Sequence, residues 1–270
     1  MRALRGVLVS VALTLACAAP ASASPYIAPG ISPPGANDWA CKPPAAHPYP
    51  VVLVHGTFGD MTVSWNLISP ALKREGYCVF ALDYGHRGTD LMEGSAAEVA
   101  SFVDRVLAAT GAAKVALVGH SQGGMMPRYY LKFLGGTAKV DELIGLSPSN
   151  HGTSNPGALL LDGAGACDSC GQQTTGSAFM TNLNAGDETP GDVSYTVVQT
   201  RYDEVVIPYT SAFLAAGPNT TNVLLQARCP LDVSEHLSII YDAVALRWVK
   251  HALGRPGPAD PAFRPSCLPV

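Results

Sequence analysis

Lys114-Val115-Ala116-Leu117-Val118-Gly119-His120-Ser121-Gln122-Gly123-Gly124 is the stretch that decides the fold. Val115 to Val118 is continuously apolar, as a strand covered on both faces must be. Gly119-His120-Ser121-Gln122-Gly123 follows with G-x-S-x-G spacing, and Gln122 to Leu134 reads as a helix. A serine that acts as nucleophile has to stand on a sharp turn between strand and helix. Glycines two residues to either side let the backbone pack that closely. The bare spacing weighs little in a chain with 27 glycines among 270 residues. Its place between a buried strand and a helix separates it from an ordinary Gly-rich turn.

Outward from this centre, strands and helices alternate. Val51 to Val54, Tyr77 to Leu82, Leu143 to Leu146, Tyr195 to Gln199 and Val223 to Gln226 read as further strands. Ser64 to Arg74, Ser95 to Ala109 and Glu235 to Leu253 read as helices; Val99, Phe102, Val103, Val106 and Leu107 share one face of the second. Such alternation means a parallel sheet with helices on both faces, whose active residues collect on loops at the carboxyl ends of the strands. Ser147 to Asp192 differs. It is rich in Gly, Ser, Thr and Asn, with apolar islands at Leu159 to Leu161 and Phe179 to Met180. It reads as a long excursion over the site, with one short helix near Ser177 to Leu183. We expect a fairly fixed wall there, not a swinging lid.

The chain is 47% hydrophobic and 14% charged, enough for one sizeable core. A formal charge of -4 without Lys/Arg clusters argues against nucleic-acid binding and against electrostatic docking on anionic membranes. Arg2, Arg5, the apolar run Val7 to Ala19 and the small residues Ala21-Ser22-Ala23 read as a secretory signal. Residues 1–23 are therefore expected to be removed, leaving 24–270 as a single secreted domain. A lipoprotein signal ending at Cys17 is the rival reading, and Thr14-Leu15-Ala16 suits it poorly. Without Cys17, six cysteines remain: Cys41, Cys78, Cys167, Cys170, Cys229 and Cys267. An even count in an exported chain implies three disulfides. Cys167-Asp168-Ser169-Cys170 also has the spacing of half a zinc site. No second such pair and no HxxxH completes it, so a local disulfide is preferred.

The Ser121 hydroxyl needs a base. Of seven histidines, His236 follows the last strand and satisfies the chain order Ser, acid, His. His151, on the loop after the Leu143–Leu146 strand, is the alternative, with a pocket-lining or loop-fixing role as its plainer reading. The acid belongs on the loop after Tyr195–Gln199, where Asp203 is the choice and Glu204 the runner-up. A tetrahedral intermediate needs backbone N–H donors for its oxyanion. Gln122, directly after the serine, supplies one. Thr57, in His55-Gly56-Thr57-Phe58-Gly59 after the first strand, supplies the other, and its hydroxyl can add a third bond.

Val54-His55-Gly56-Thr57, the Ser-Gln-Gly-Gly run, the Leu183-to-Asp192 segment, Thr200-Arg201-Tyr202-Asp203-Glu204-Val205-Val206 and Glu235-His236 together resemble the secreted bacterial class 2 lipases. These are the lipase/esterase family within the α/β-hydrolases. The resemblance covers roughly Pro48 to Leu253. The Ser-Gln-Gly-Gly and Asp-Glu-Val-Val runs and the cysteine placement are also similar to the yeast lipase B fold. The resemblance implies an α/β-hydrolase fold, with about six mainly parallel strands flanked by helices and a minimal lid. It implies carboxylic-ester hydrolysis on acyl chains, without cofactor or metal. It also implies the pairings Cys41–Cys78 and Cys229–Cys267; Cys167–Cys170 lies outside the shared pattern. The expected substrate is an ester or lipid, met as a monomer with transient contact at a lipid interface. The same machinery serves a polyester depolymerase or an acyltransferase. A non-catalytic binding protein on this fold would need a broken triad or oxyanion loop, and here every part is present.

Overall fold

The computed structural model describes residues 30–268; the expected signal segment, 1–23, lies outside the described residues. One six-stranded sheet organises the chain: β1 (Val51–Val54), β2 (Val79–Leu82), β3 (Val115–His120), β4 (Val140–Leu146), β5 (Ser194–Gln199) and β6 (Thr220–Leu224). The spatial order is β2-β1-β3-β4-β5-β6 and every ladder is parallel. The apolar runs are continuous because the sheet is covered twice. Val52, Val54 and Leu117 face a core built with the helices Met92–Thr110 and Pro127–Phe133. Val51, Leu53 and Val118 face a second core with Ile68–Arg74 and Ala243–Leu253. Each such side chain withdrawn from water contributes roughly 1.5–3 kcal/mol.

Four of the expected elements come out differently, each for a local reason. The helix expected over Ser64–Arg74 is two pieces, Met61–Ser64 and Ile68–Arg74, the first capped by the Asp60 side chain on the Val63 amide. The helix after Ser121 breaks at Met126, where Pro127 begins a new one. The closing helix starts at Ala243 and not at Glu235. Asp242 is extended, and its carboxylate accepts the Ala245 amide as an N-cap, while Ser238–Tyr241 forms a separate 3-10 turn. The excursion between β4 and β5 holds three helices where one was expected: Pro156–Gly163, Asp168–Gln172 and Ala178–Asn184. Its apolar islands part company. Phe179 and Met180 join the core, whereas Leu159 and Leu160 are 60% and 74% exposed.

All three disulfides form as paired above, with S–S distances of 2.01 Å (Cys41–Cys78), 2.04 Å (Cys167–Cys170) and 2.01 Å (Cys229–Cys267). The local bridge leaves Cys167 and Cys170 no thiolate for zinc. The lead-in serves the sheet edge: the Asn37 amide donates to Val79 O, and its side chain bonds Ala81 through both N–H and C=O. The outer rim of β2 is thereby covered.

Candidate active site

Ser121 stands where β3 gives way to the next helix, with φ +53° and ψ −124°, a conformation that side chains other than glycine rarely adopt. The flanking glycines are steric necessities. A Cβ at Gly119 would sit 1.8 Å from Gly123 O, and one at Gly123 would sit 2.1 Å from Val54 O. The turn lifts Ser121 Oγ to 3.0 Å from His236 Nε2. The other ring nitrogen, Nδ1, lies 2.9 Å from the Asp203 carboxylate. All three residues are buried.

Asp203 is fixed by its own loop. Oδ1 accepts the amides of Val205 (3.0 Å) and Val206 (2.7 Å), and Oδ2 accepts Gln199 Nε2 (3.1 Å). Burial alone would raise its pKa. The bond and charge of His236 and the two amides outweigh burial and hold it below the usual carboxylate range. The carboxylate therefore stays ionised beside the imidazole. Glu204, the runner-up, accepts the His236 backbone amide at 3.4 Å and makes no bond to the ring.

His236 lies on a loop, because Glu235 and Ser238 exchange bonds around it. Glu235 N donates to Ser238 Oγ, and Ser238 N to Glu235 Oε1, at 2.9 and 2.8 Å. Behind it, His120 Nε2 donates to the His236 carbonyl at 2.8 Å. Burial, then repulsion from His236, pushes the His120 pKa down to about 3, so this ring is neutral across the working range. Nothing in the local sequence marks this role for His120, since its partner lies 116 residues along the chain.

Thr57 and Gln122 face each other across the mouth. Their backbone amides donate to no group among the described residues, as an oxyanion cradle requires. The Thr57 loop is braced from below. Tyr84 Oη donates to His55 O (2.7 Å), and Phe58 N donates to Arg87 O (2.7 Å). His151 is not part of this chain of bonds; it pairs with Glu188 at 2.9 Å and with Ser211 O, the loop-fixing role. Glu188 belongs to the Leu183-to-Asp192 segment. That segment docks on the buried Arg128, which donates to Glu188 O, Asn184 Oδ1 and Asn150 O.

The cavity above Ser121 holds about 260 Å³, with Phe58, Ala158, Leu161, Val205, Val206 and Leu237 among its walls. A hydroxyl paired to an imidazole, an ionised orienting carboxylate, two free amides and an apolar slot can bind an acyl chain and transfer its acyl group. Two polar residues at the site were missed from sequence: Gln173, from the excursion, and Gln199, at the end of β5. Neither sits in a local pattern that would mark it.

The sequence model of the family described as lipase (class 2) matches residues 48–249. The chain belongs to this family. Among class 2 lipases and their relatives, a triacylglycerol lipase of Pseudarthrobacter phenanthrenivorans is 36% identical over 124 residues, 44% of this chain and 37% of that protein. Lipase B of Pseudozyma antarctica is 36% identical over 143 residues, 50% of this chain and 40% of that protein. The chain thus matches well under two thirds of these relatives' own length. Among solved structures, Aspergillus fumigatus lipase B superimposes with a TM-score of 0.73 at 24% identity, over 86% of this chain and 57% of that one. The likeness places the present sheet among the α/β-hydrolase lipases in fold.

Proposed function

We propose that this class 2 lipase is a secreted carboxylic-ester hydrolase of the lipase/esterase type, working through an acyl-enzyme. The observation that carries the reading is the unbroken chain Ser121 Oγ–His236 Nε2 and Nδ1–Asp203, at 3.0 and 2.9 Å, opening into an apolar cavity. Ser121 attacks the ester carbonyl as His236 takes its proton. The oxyanion that develops is held by the Thr57 and Gln122 amides. The imidazolium, steadied by Asp203, protonates the leaving alcohol. Water, deprotonated by the same imidazole, then attacks the acyl-enzyme and frees the acid. Family membership and the relatives' triacylglycerol lipase activity support the reaction class. The signal-like N-terminus and three disulfides support export.

The test is turnover of dissolved p-nitrophenyl esters and of tributyrin, with Ser121→Ala alongside. The expected result is ester hydrolysis that Ser121→Ala abolishes. The ends of the excursion are held by Arg128, and its last helix by buried Phe179 and Met180, which favours a wall over a lid. Rate should therefore climb smoothly with tributyrin through its solubility limit, and a jump at that limit would make the wall a lid. Amino-terminal sequencing of protein from the medium should begin at Ser24.

A further inference from the structure

At the mouth of the cavity, three side chains from distant parts of the chain close a ring of hydrogen bonds. Thr57 Oγ1 donates to Gln122 Oε1 at 2.6 Å. Gln173 Nε2 donates to Thr57 Oγ1 at 3.0 Å and to Gln122 Oε1 at 3.1 Å. Gln173 is itself held firmly. Its Oε1 accepts Ser149 Oγ at 3.0 Å, its amide donates to Ser169 O at 2.9 Å, and its carbonyl accepts Thr153 N at 2.9 Å. The helix that presents it begins at the Cys167–Cys170 bridge. Only 7% of Gln173 is exposed.

A hydroxyl has one proton, and the Thr57 proton is committed to Gln122 Oε1. A developing oxyanion would draw that proton toward itself by rotation about Cβ–Oγ. In an isolated Thr–Gln pair, the rotation would strand a buried carbonyl oxygen without a partner, which is unfavourable. Here the second bond from Gln173 continues to satisfy Gln122 Oε1. The first bond from Gln173 keeps the Thr57 oxygen in place while its proton turns.

We propose that Gln173 is a positioning residue of the oxyanion loop: it anchors the Thr57 hydroxyl oxygen and keeps Gln122 Oε1 paired when the Thr57 proton swings to the oxyanion. This rests on the acyl-enzyme reading above. It assigns a reaction role to the excursion, whose Gln173 reaches under the oxyanion instead of only walling the acyl chain.

The experiment is a double-mutant cycle on a dissolved p-nitrophenyl ester, comparing wild type, Thr57→Val, Gln173→Met and the double variant. Stoichiometric labelling of Ser121 by an organophosphate gives kcat per folded site. Each single change should lower kcat by roughly 10- to 100-fold, the worth of one hydrogen bond to a charged group, with KM little changed. The double variant should be no slower than the slower single, since both changes remove one device. Multiplying losses would overturn the proposal, as would a raised KM at unchanged kcat, which marks a side chain that only shapes the pocket. Gln173→Glu serves as a second variant. It keeps the size of the side chain but its carboxylate donates nothing, so a wild-type kcat there also overturns the proposal. If wild-type Ser121 takes no label and Ser121→Ala still turns over, both readings fall. A labelled Ser121 with undiminished Gln173 variants removes this inference alone.

Discussion

Asp203 and Glu204 are adjacent carboxylates with different work. Asp203 touches the His236 ring and is fed by two amides, whereas Glu204 meets His236 through its backbone N–H and not its ring. Asp203→Asn should therefore cut kcat by several orders of magnitude, roughly 10⁴-fold where the wrong tautomer results. Glu204→Gln should cost far less, and single-turnover kinetics on both variants separates them. Ser121 and Asp203 were legible because each follows closely on a strand end that the sequence marks, and His236 because it completes the chain order Ser, acid, His. Gln173 and Gln199 carried no such signal. Their roles exist only once remote segments are brought together, and a lone glutamine in a polar loop looks like any other.

Glu142 illustrates a cost at the same scale. It sits near the start of β4, 6% exposed, with Oε2 unpartnered among the described residues. Burial, with a smaller push from Asp141, raises its pKa to about 8. Between the ordinary carboxylate range and about 8, the native state keeps a proton that the unfolded chain has released. Stability therefore falls as pH rises through that window and levels off above it. Glu142→Gln should flatten the slope and leave the protein more stable near pH 8.5 by on the order of 2–4 kcal/mol. Urea midpoints at about pH 5 and pH 8.5 check this. Asp203 runs the other way: its lowered pKa contributes stability at neutral pH that is lost on acidification.

At the scale of elements, the central strands were legible because burial on both faces leaves no polar position to blur them, whereas the edge strand expected over Val223–Gln226 is Thr220–Leu224, its polar residues hiding its start and Leu225–Arg228 turning helical. Helix ends were not legible. The apolar periodicity of the last helix runs smoothly back toward Glu235, yet the helix begins at Ala243 because Asp242 caps it in an extended conformation. Asp242→Ala should cost about 1 kcal/mol, and Asp242→Asn, which keeps the acceptor, much less. Thermal melts of the two variants test this. The excursion was read as nearly helix-free because its composition is Gly-, Ser- and Thr-rich. Its helices depend on the Asn155 cap with Pro156, on the Cys167–Cys170 bridge and on the Ser177 cap. These local devices override weak propensity.

For the whole molecule, two bridges tie the outer segments to the sheet. Cys41–Cys78 and Cys229–Cys267 close separations of 37 and 38 residues, against 3 for Cys167–Cys170. In the chain-entropy model a loop of that larger size contributes roughly 3–4 kcal/mol. Cys41→Ser should therefore lower the melting temperature more than Cys170→Ser, as calorimetry of the two variants would show. The reverse order would mean that the small bridge holds the excursion in a way that loop length does not capture. The two long-range pairings became evident only through family likeness; geometry was needed to exhibit them.

The serine and histidine that meet at 3.0 Å are 115 residues apart in the chain. Hydroxyl and base are brought together only after a large loop has closed, which makes their meeting a late, non-local event. On the proposed mechanism Ser121 gains its base only once the segment that carries His236 has docked, so a chain truncated ahead of that segment should hydrolyse no ester even with its strand–turn–serine unit intact.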